Sequence, residues 1–308
     1  MCVTCGCSDN GEVTITNVNY EPNSDQPHPN PPLTKEREQV FPPLTKGGLG
    51  GVNSTITQVE ETHTHTLADG TVITHSHNHN HPAEIHAKIH NKTITLEQEI
   101  LSKNDLIAAE NRGWFNGRNI LALNLVSSPG AGKTTLLCRT IKDLKNELNI
   151  SVIEGDQETV NDAEKIRETG CKVVQINTGT GCHLEAAMVK RGYIELNPPL
   201  NSVLMIENVG NLVCPALFDL GEKAKVVILS VTEGEDKPIK YPHMFRESEV
   251  MILNKIDLLP YVQFDVEKCL EYAKKVNPQI QIFQVSATTG EGLENWYEWL
   301  KISRKQSE

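Results

Sequence analysis

Positive charge and aromatic side chains are both scarce in this sequence. Across 308 residues, 40 acidic side chains outnumber 29 basic ones for a net charge of −11, and Phe, Trp and Tyr together make up 5%. No basic stripe with interleaved aromatics is present, which argues against a nucleic-acid partner. No apolar run reaches the roughly 20 residues of a membrane span, and the N-terminus carries neither a cationic region nor a secretory apolar segment. The expectation is a cytoplasmic protein. Its eight cysteines then read as metal ligands or redox centres, because a reducing compartment disfavours disulfides.

Residues 8 to about 90 are also poor in large apolar side chains. They carry Pro22, Pro27, Pro29, Pro31, Pro32, Pro42 and Pro43, and the pentapeptide Pro-Pro-Leu-Thr-Lys occurs at 31–35 and again at 42–46, ahead of Gly47-Gly48-Leu49-Gly50-Gly51. Duplicated proline-rich sequence running into glycines is linker material. The chain therefore divides into a cysteine motif (1–7), a disordered linker (8–62), a histidine-rich tract (63–90) and a folded domain (95–308). Leu96, Ile100, Leu101, Ile107 and Ala108 predict an opening amphipathic helix. Strands and helices alternate from there on, the pattern of an α/β fold with a doubly wound, mostly parallel sheet.

The chemistry begins at Ser127-Ser128-Pro129-Gly130-Ala131-Gly132-Lys133-Thr134-Thr135, which follows the apolar run 120–126 and precedes a helical pattern. Strand, glycine-rich turn and helix start together line up backbone N–H groups around a phosphate at the positive end of a helix. Gly130 and Gly132 allow close backbone approach, with Ala131 between them. Lys133 reaches the outer phosphates, Thr134 can hold Mg²⁺, and Thr135 continues the cradle. Ser127 stands where the first glycine of this motif usually sits.

Asn254-Lys255-Ile256-Asp257 closes a second apolar strand and selects the base. Guanine offers donors at N1 and at its exocyclic amine, both of which the Asp257 carboxylate can accept. Adenine would leave that carboxylate facing a lone pair, at a cost of roughly 1–3 kcal/mol or more. Ser286 and Ala287, after a further strand, are expected to offer a backbone N–H to the guanine oxygen. Asp156 and Glu207 end two other strands and supply the carboxylates that a Mg²⁺ site needs. Glu207 leads into Asn208-Val209-Gly210-Asn211, where no glutamine stands to orient an attacking water, so slow GTP hydrolysis is expected.

Three groups of soft ligands accompany this nucleotide site. Cys2, Cys5 and Cys7 place three thiols within the first seven residues. With one nitrogen they suit square-planar Ni²⁺, and in a tetrahedral arrangement they suit Zn²⁺. Cys182-His183 and Cys214 sit in loops at strand ends and are expected to approach one another, or a symmetry mate, near the nucleotide. His63, His65, His75, His77, His79 and His81 form a tract suited to binding several ions loosely. Ala68-Asp69-Gly70 hints at a hairpin in which His63, His65, His75 and His77 share a face, but the composition favours a disordered chelating tract. Cys138, Cys171 and Cys269 read as small buried hydrophobes.

These residues together resemble HypB, a family of SIMIBI-class P-loop GTPases that deliver nickel for [NiFe]-hydrogenase maturation. The resemblance covers residues 1–7 and about 96–308, and the family shares Ser127 at the glycine position. It implies GTP-dependent homodimerisation, Ni²⁺ at the N-terminal cysteines, and Ni²⁺ or Zn²⁺ at the internal site. It also implies work with a HypA-like accessory protein on the hydrogenase large subunit precursor. Two alternatives differ in class. A urease-type UreG-like GTPase would carry Cys-Pro-His where Gly181-Cys182-His183 stands, and would lack the cysteine triplet. A nickel-storage protein would use the histidine tract as its main function, with the GTPase subordinate.

Overall fold

Each buried strand of this protein is a short β-branched or leucine-rich run, and the runs assemble into one sheet. The structure, a computed structural model, describes residues 14–17, 62–66, 72–76, 84–156 and 161–306. Cys2, Cys5, Cys7, His77, His79 and His81 lie outside those residues. In chain order the elements are β1 (Thr14–Asn17), β2 (Thr62–Thr66), β3 (Val72–Ser76), α1 (Glu84–Gly117), β4 (Leu121–Ser127), α2 (Lys133–Leu144), β5 (Ile150–Asp156), α3 (Asn161–Arg167) and β6 (Lys172–Asn177). There follow α4 (Ala186–Leu196), β7 (Val203–Glu207), β8 (Ala224–Ser230), the short α5 (Lys237–Lys240) and α6 (Pro242–Arg246), β9 (Val250–Asn254), α7 (Val266–Val276), β10 (Gln281–Gln284) and α8 (Leu293–Gln306).

Eight strands form one sheet in the order β1-β6-β5-β7-β4-β8-β9-β10. β1 pairs antiparallel with β6, and every other neighbour is parallel. Parallel strands need crossover helices on both faces, so the inner strands are buried throughout; β4 and β8 are buried at every position. Alternate residues of β4 feed different cores. Leu121, Leu123 and Leu125 join the cluster with α2 and Trp296 of α8, while Ala122 joins Ile153, Tyr193 and Phe115 on the other face. From β4 the chain crosses to β5 on one side and later reaches β8 on the other. Such a reversal opens a crevice at the carboxyl ends of the strands, where ligands of open α/β sheets bind.

Three features depart from the sequence reading. The expected linker contributes β1, whose Thr14 pairs with Asn177 and Asn17 with Val174. The first helix starts at Glu84, ahead of Thr95, and its buried stripe is Asn104, Ala108, Asn111 and Phe115, while Ile100 is 47% exposed. Apolar periodicity missed that stripe because half of it is asparagine. The histidine tract, where disorder was favoured, contains the hairpin β2–β3, in which His63 pairs with His75 and His65 with Ile73. That hairpin lies in a compact unit of residues 23–92, separate from the unit of residues 1–22 and 93–308. No described helix is long and apolar enough to cross a membrane.

Candidate nucleotide and metal site

The turn after β4 is shaped by two left-handed glycines, Gly130 at φ 76° and Gly132 at φ 96°, a conformation that a Cβ would strain. Gly132 caps α2 without any side-chain acceptor, so the first N–H groups of that helix have no capping oxygen in front of them. This is the arrangement an anion fills. Lys133 Nζ donates to Ser127 Oγ at 3.1 Å, and Ser127 itself is fully buried. A glycine at 127 would offer the lysine no such rest position. The crevice in front holds about 520 Å³ and is lined by Gly130, Lys133, Thr134, Asp156, Asp162 and Glu207 among others.

Thr134 Oγ1 donates to Glu207 Oε1 at 2.7 Å and lies 3.2 Å from Asp162 Oδ2. The hydroxyl expected to hold Mg²⁺ thus touches one expected carboxylate and one that the sequence reading did not name. Asp162 sits in the first turn of α3, beyond the strand end where a motif search looks. A fourth acid, Glu154, is 98% buried beside Glu207, its register partner on β7. Burial, then the charges of Glu207 and Asp156, push its carboxyl up to about 9. Burial also raises Glu207, against the pull of Lys133 and Thr134. One buried oxygen each of Glu154 and Glu207 has no hydrogen-bond partner. A divalent cation would supply what this acid group lacks, so the donor set fits Mg²⁺.

At the carboxyl end of β9, Asn254 Nδ2 donates to Ala131 O at 3.0 Å and Lys255 Nζ to Gly130 O at 2.7 Å. The tetrad expected to read the base is thereby tied directly to the phosphate turn. Asp257 presents a buried Oδ1 without a partner, as a carboxylate waiting for a base edge would. Ser286 and Ala287 behave differently from expectation. The Ser286 N–H donates to Glu291 O at 2.9 Å and the Ala287 N–H to Asn254 Oδ1 at 3.1 Å. Both N–H groups are engaged within the protein here, and that of Ala287 orients the Asn254 carboxamide.

The second site lies in two loops. Cys182 Sγ is 3.0 Å from Cys214 Sγ and 3.6 Å from His183 Nδ1, and the three ligand atoms fall within 4.8 Å of one another. Cys182 is half-buried and Cys214 buried. His183 packs its ring against Phe218 at 4.0 Å between centroids. Burial pulls its imidazole down to about 4, keeping it neutral as a metal ligand must be. Two thiols and an imidazole suit Zn²⁺ or Ni²⁺. Cys171 and Cys269 are buried as expected, and burial pushes both thiols up to about 12. Cys138 is half-buried.

Two asparagines join the sites. Asn208, next after Glu207, accepts from the Leu184 N–H at 3.1 Å and donates to Asn124 Oδ1 at 3.1 Å. Asn211 donates to the Cys182 carbonyl at 3.3 Å. The segment following Glu207 is therefore hydrogen-bonded to the loop that carries the candidate ligands Cys182 and His183. Asn211, read earlier only as the absence of a glutamine, serves as a strut. Asn124, a lone polar residue within an apolar strand, was the available sequence signal for this chain of contacts.

The model of the CobW/HypB/UreG nucleotide-binding domain matches residues 121–284. The chain is 47% identical over 305 residues to the hydrogenase maturation factor HypB of Escherichia coli K12, covering 99% of both chains. It is 61% identical over 212 residues to that of Rhizobium leguminosarum bv. viciae, covering 69% of this chain and 71% of the relative. Among solved structures, HypB from Helicobacter pylori in complex with nickel superposes with a TM-score of 0.63 at 38% identity, covering 66% of this chain and 96% of that one. HypB from Archaeoglobus fulgidus gives 0.62 at 38%, covering 66% and 99%.

Proposed function

The chain belongs to the HypB family of hydrogenase maturation factors, and from that premise we propose that it is a nickel carrier that hydrolyses GTP to time nickel delivery to a [NiFe]-hydrogenase large subunit. The observation that carries this reading is the pair of hydrogen bonds from Asn208 and Asn211 to the metal loop. Lys133, Thr134, Asp156, Asp162 and Glu207 would hold the γ-phosphate and Mg²⁺, and Asp257 would read guanine. Loss of the γ-phosphate lets the segment after Glu207 relax, and its asparagines shift the backbone of Cys182 and Leu184 relative to Cys214. Hydrolysis is slow because Asn211 stands after Gly210 where no glutamine orients water, and its side chain is bonded to the Cys182 carbonyl instead. Dimerisation with GTP bound, a HypA-like partner and cytoplasmic residence follow from the family resemblance, as does a choice of Ni²⁺ or Zn²⁺ at the internal site.

Coupling of this kind must be reciprocal, and a span of ~1–3 kcal/mol, about 5- to 150-fold in affinity, is typical. Ni²⁺ and Zn²⁺ are titrated into the full chain carrying Cys2→Ser, Cys5→Ser and Cys7→Ser, once with GDP and once with a non-hydrolysable GTP analogue. The two nucleotide states should differ in metal affinity. Equal affinities, unchanged again in Asn208→Ala, would sink the timing mechanism.

The N-terminal groups divide storage from delivery. Deleting residues 63–90 should lower the number of Ni²⁺ ions bound per chain and leave one tight site. Cys2→Ala, Cys5→Ala or Cys7→Ala should each remove that tight site, since each leaves the cluster a thiolate short. Equilibrium dialysis against a graded nickel chelator distinguishes the two losses. A histidine deletion that abolished hydrogenase maturation at ample nickel would contradict storage as the role of the tract.

A further inference from the structure

Among the described residues, helix α1 supplies no lining of the nucleotide crevice and no candidate metal ligand, yet its buried stripe contains two asparagines one heptad apart. Buried carboxamides on a helix face are costly unless every donor and acceptor is used. Asn104 Oδ1 accepts from the Ala186 N–H at 2.9 Å, and Asn104 Nδ2 donates to the Asp219 carbonyl at 2.7 Å. Asn111 Nδ2 lies 2.9 Å from both the Ala186 and Leu220 carbonyls, and its Oδ1 accepts from Tyr193 OH at 3.2 Å. Each side chain therefore bridges the same two segments. One segment begins at Ala186, directly after the loop bearing Cys182 and His183. The other is 219–220, which follows Cys214 and the Phe218 ring that backs His183.

The surroundings hold this bridge rigidly. Arg112 donates to both oxygens of Asp219, at 2.8 and 2.7 Å. Gly221, at φ +88°, brings its backbone so close to the helix that a Cβ would lie 2.5 Å from the Ala108 carbonyl. Two loops carrying ligands from sequence positions 32 apart are thus tied to one rigid rod by four carboxamide contacts. Groups that orient a metal's ligands from behind typically change affinity by about 10- to 100-fold when removed.

We propose that Asn104 and Asn111 are positioning residues of the internal metal site, setting the separation between the Cys182–His183 loop and Cys214. The proposal rests on the reading of those three side chains as a metal site. It also makes α1 a handle: whatever displaces this helix acts on the metal loops directly, and on the nucleotide only through the Asn208 and Asn211 contacts.

The test uses the full chain with Cys2→Ser, Cys5→Ser and Cys7→Ser, so that a thiolate-to-cobalt charge-transfer band reports the internal site while histidines stay silent in that band. Co²⁺ is titrated against a competing chelator into this parent and into parents carrying Asn104→Ala, Asn111→Ala or Asn104→Asp. The last keeps the acceptor for Ala186 and loses the donor to Asp219. Expected is an affinity loss of about tenfold or more in each, a weaker band, and GTP turnover in Mg²⁺ alone, without cobalt, within about twofold of the parent. Leu300→Ala, in a fully buried position of a different core cluster, is the stability control. It should lower the unfolding midpoint and leave cobalt affinity unchanged. Cobalt affinity unchanged in all three asparagine variants, or a loss matched by Leu300→Ala, overturns the proposal alone. A parent with no thiolate band overturns the metal reading as well. Should either alanine variant fail to fold, Asn104→Asp decides.

Discussion

Asp257→Asn is expected to reverse the base preference of this chain from GTP to xanthosine triphosphate. The buried Asp257 Oδ1 has no partner within the protein, and a carboxylate there accepts from both N1–H and the exocyclic amine of guanine. An asparagine accepts from N1–H with its oxygen but turns an N–H toward the second position. That N–H meets the amine of guanine unfavourably and the 2-oxo group of xanthine favourably. The change loses one charge-assisted hydrogen bond to guanine, worth roughly 1.5–3 kcal/mol, and gains a neutral one to xanthine, worth roughly 0.5–1.5 kcal/mol, so the ratio of kcat/KM values shifts by about 30- to 2,000-fold. Inosine triphosphate, without the amine, should fall between the two for the unaltered chain. Lys133→Ala, which removes the cation resting on Ser127, should leave no measurable turnover with any of these nucleotides. The measurement is steady-state phosphate release with each nucleotide, and comparable GTP and ATP turnover by the unaltered chain would falsify the guanine assignment.

Cys182→Ala or Cys214→Ala should weaken metal binding at the internal site by at least about 100-fold. Structural zinc binding totals roughly 10–16 kcal/mol over about four ligands, so each thiolate accounts for around 3 kcal/mol, and the remaining pair cannot compensate. His183→Ala should weaken binding too, through lost ligation alone, because the neutral imidazole makes no ion pair that holds the fold. Competition against a colorimetric chelator, in the background lacking the N-terminal thiols, reads all three. If Cys182→Ala bound zinc as tightly as its parent, the convergence of Cys182, His183 and Cys214 would be a packing contact and no more. GTP turnover in Mg²⁺, without added zinc or nickel, should survive each change, since none of the three residues lines the nucleotide crevice.

The nucleotide site was readable because its recognition elements are contiguous. Gly130 and Gly132 shape the phosphate turn by their own dihedrals, and Asn254 to Asp257 bring together, on one strand end, the groups expected to meet the base. The errors arose where a polar atom looks for a partner far along the chain. Ser286 and Ala287 were expected to face the base, but Asn254 needed an N–H donor to orient its carboxamide and took the one from Ala287. Asp162 was passed over because it stands on a helix six positions after the strand-end acid. Only the packing of α3 beside α2 brings it to Thr134.

What the sequence by itself determined is therefore the local chemistry: a phosphate cradle, a carboxylate placed as a base reader would be, soft-ligand residues in three groups, and alternating elements that can close only as a parallel sheet with helices on both faces. Those depend on backbone preference, hydrophobic period and functional-group type, all properties of neighbouring residues. Tertiary structure alone decided which distant groups meet. Glu207 reaches Thr134 across 73 residues, Cys182 reaches Cys214, and two asparagines of α1 grip the loops behind both. The strand order sets these distances. A buried amide or carboxylate cannot stay unpaired in a low-dielectric interior, so it accepts whichever partner that order brings within reach.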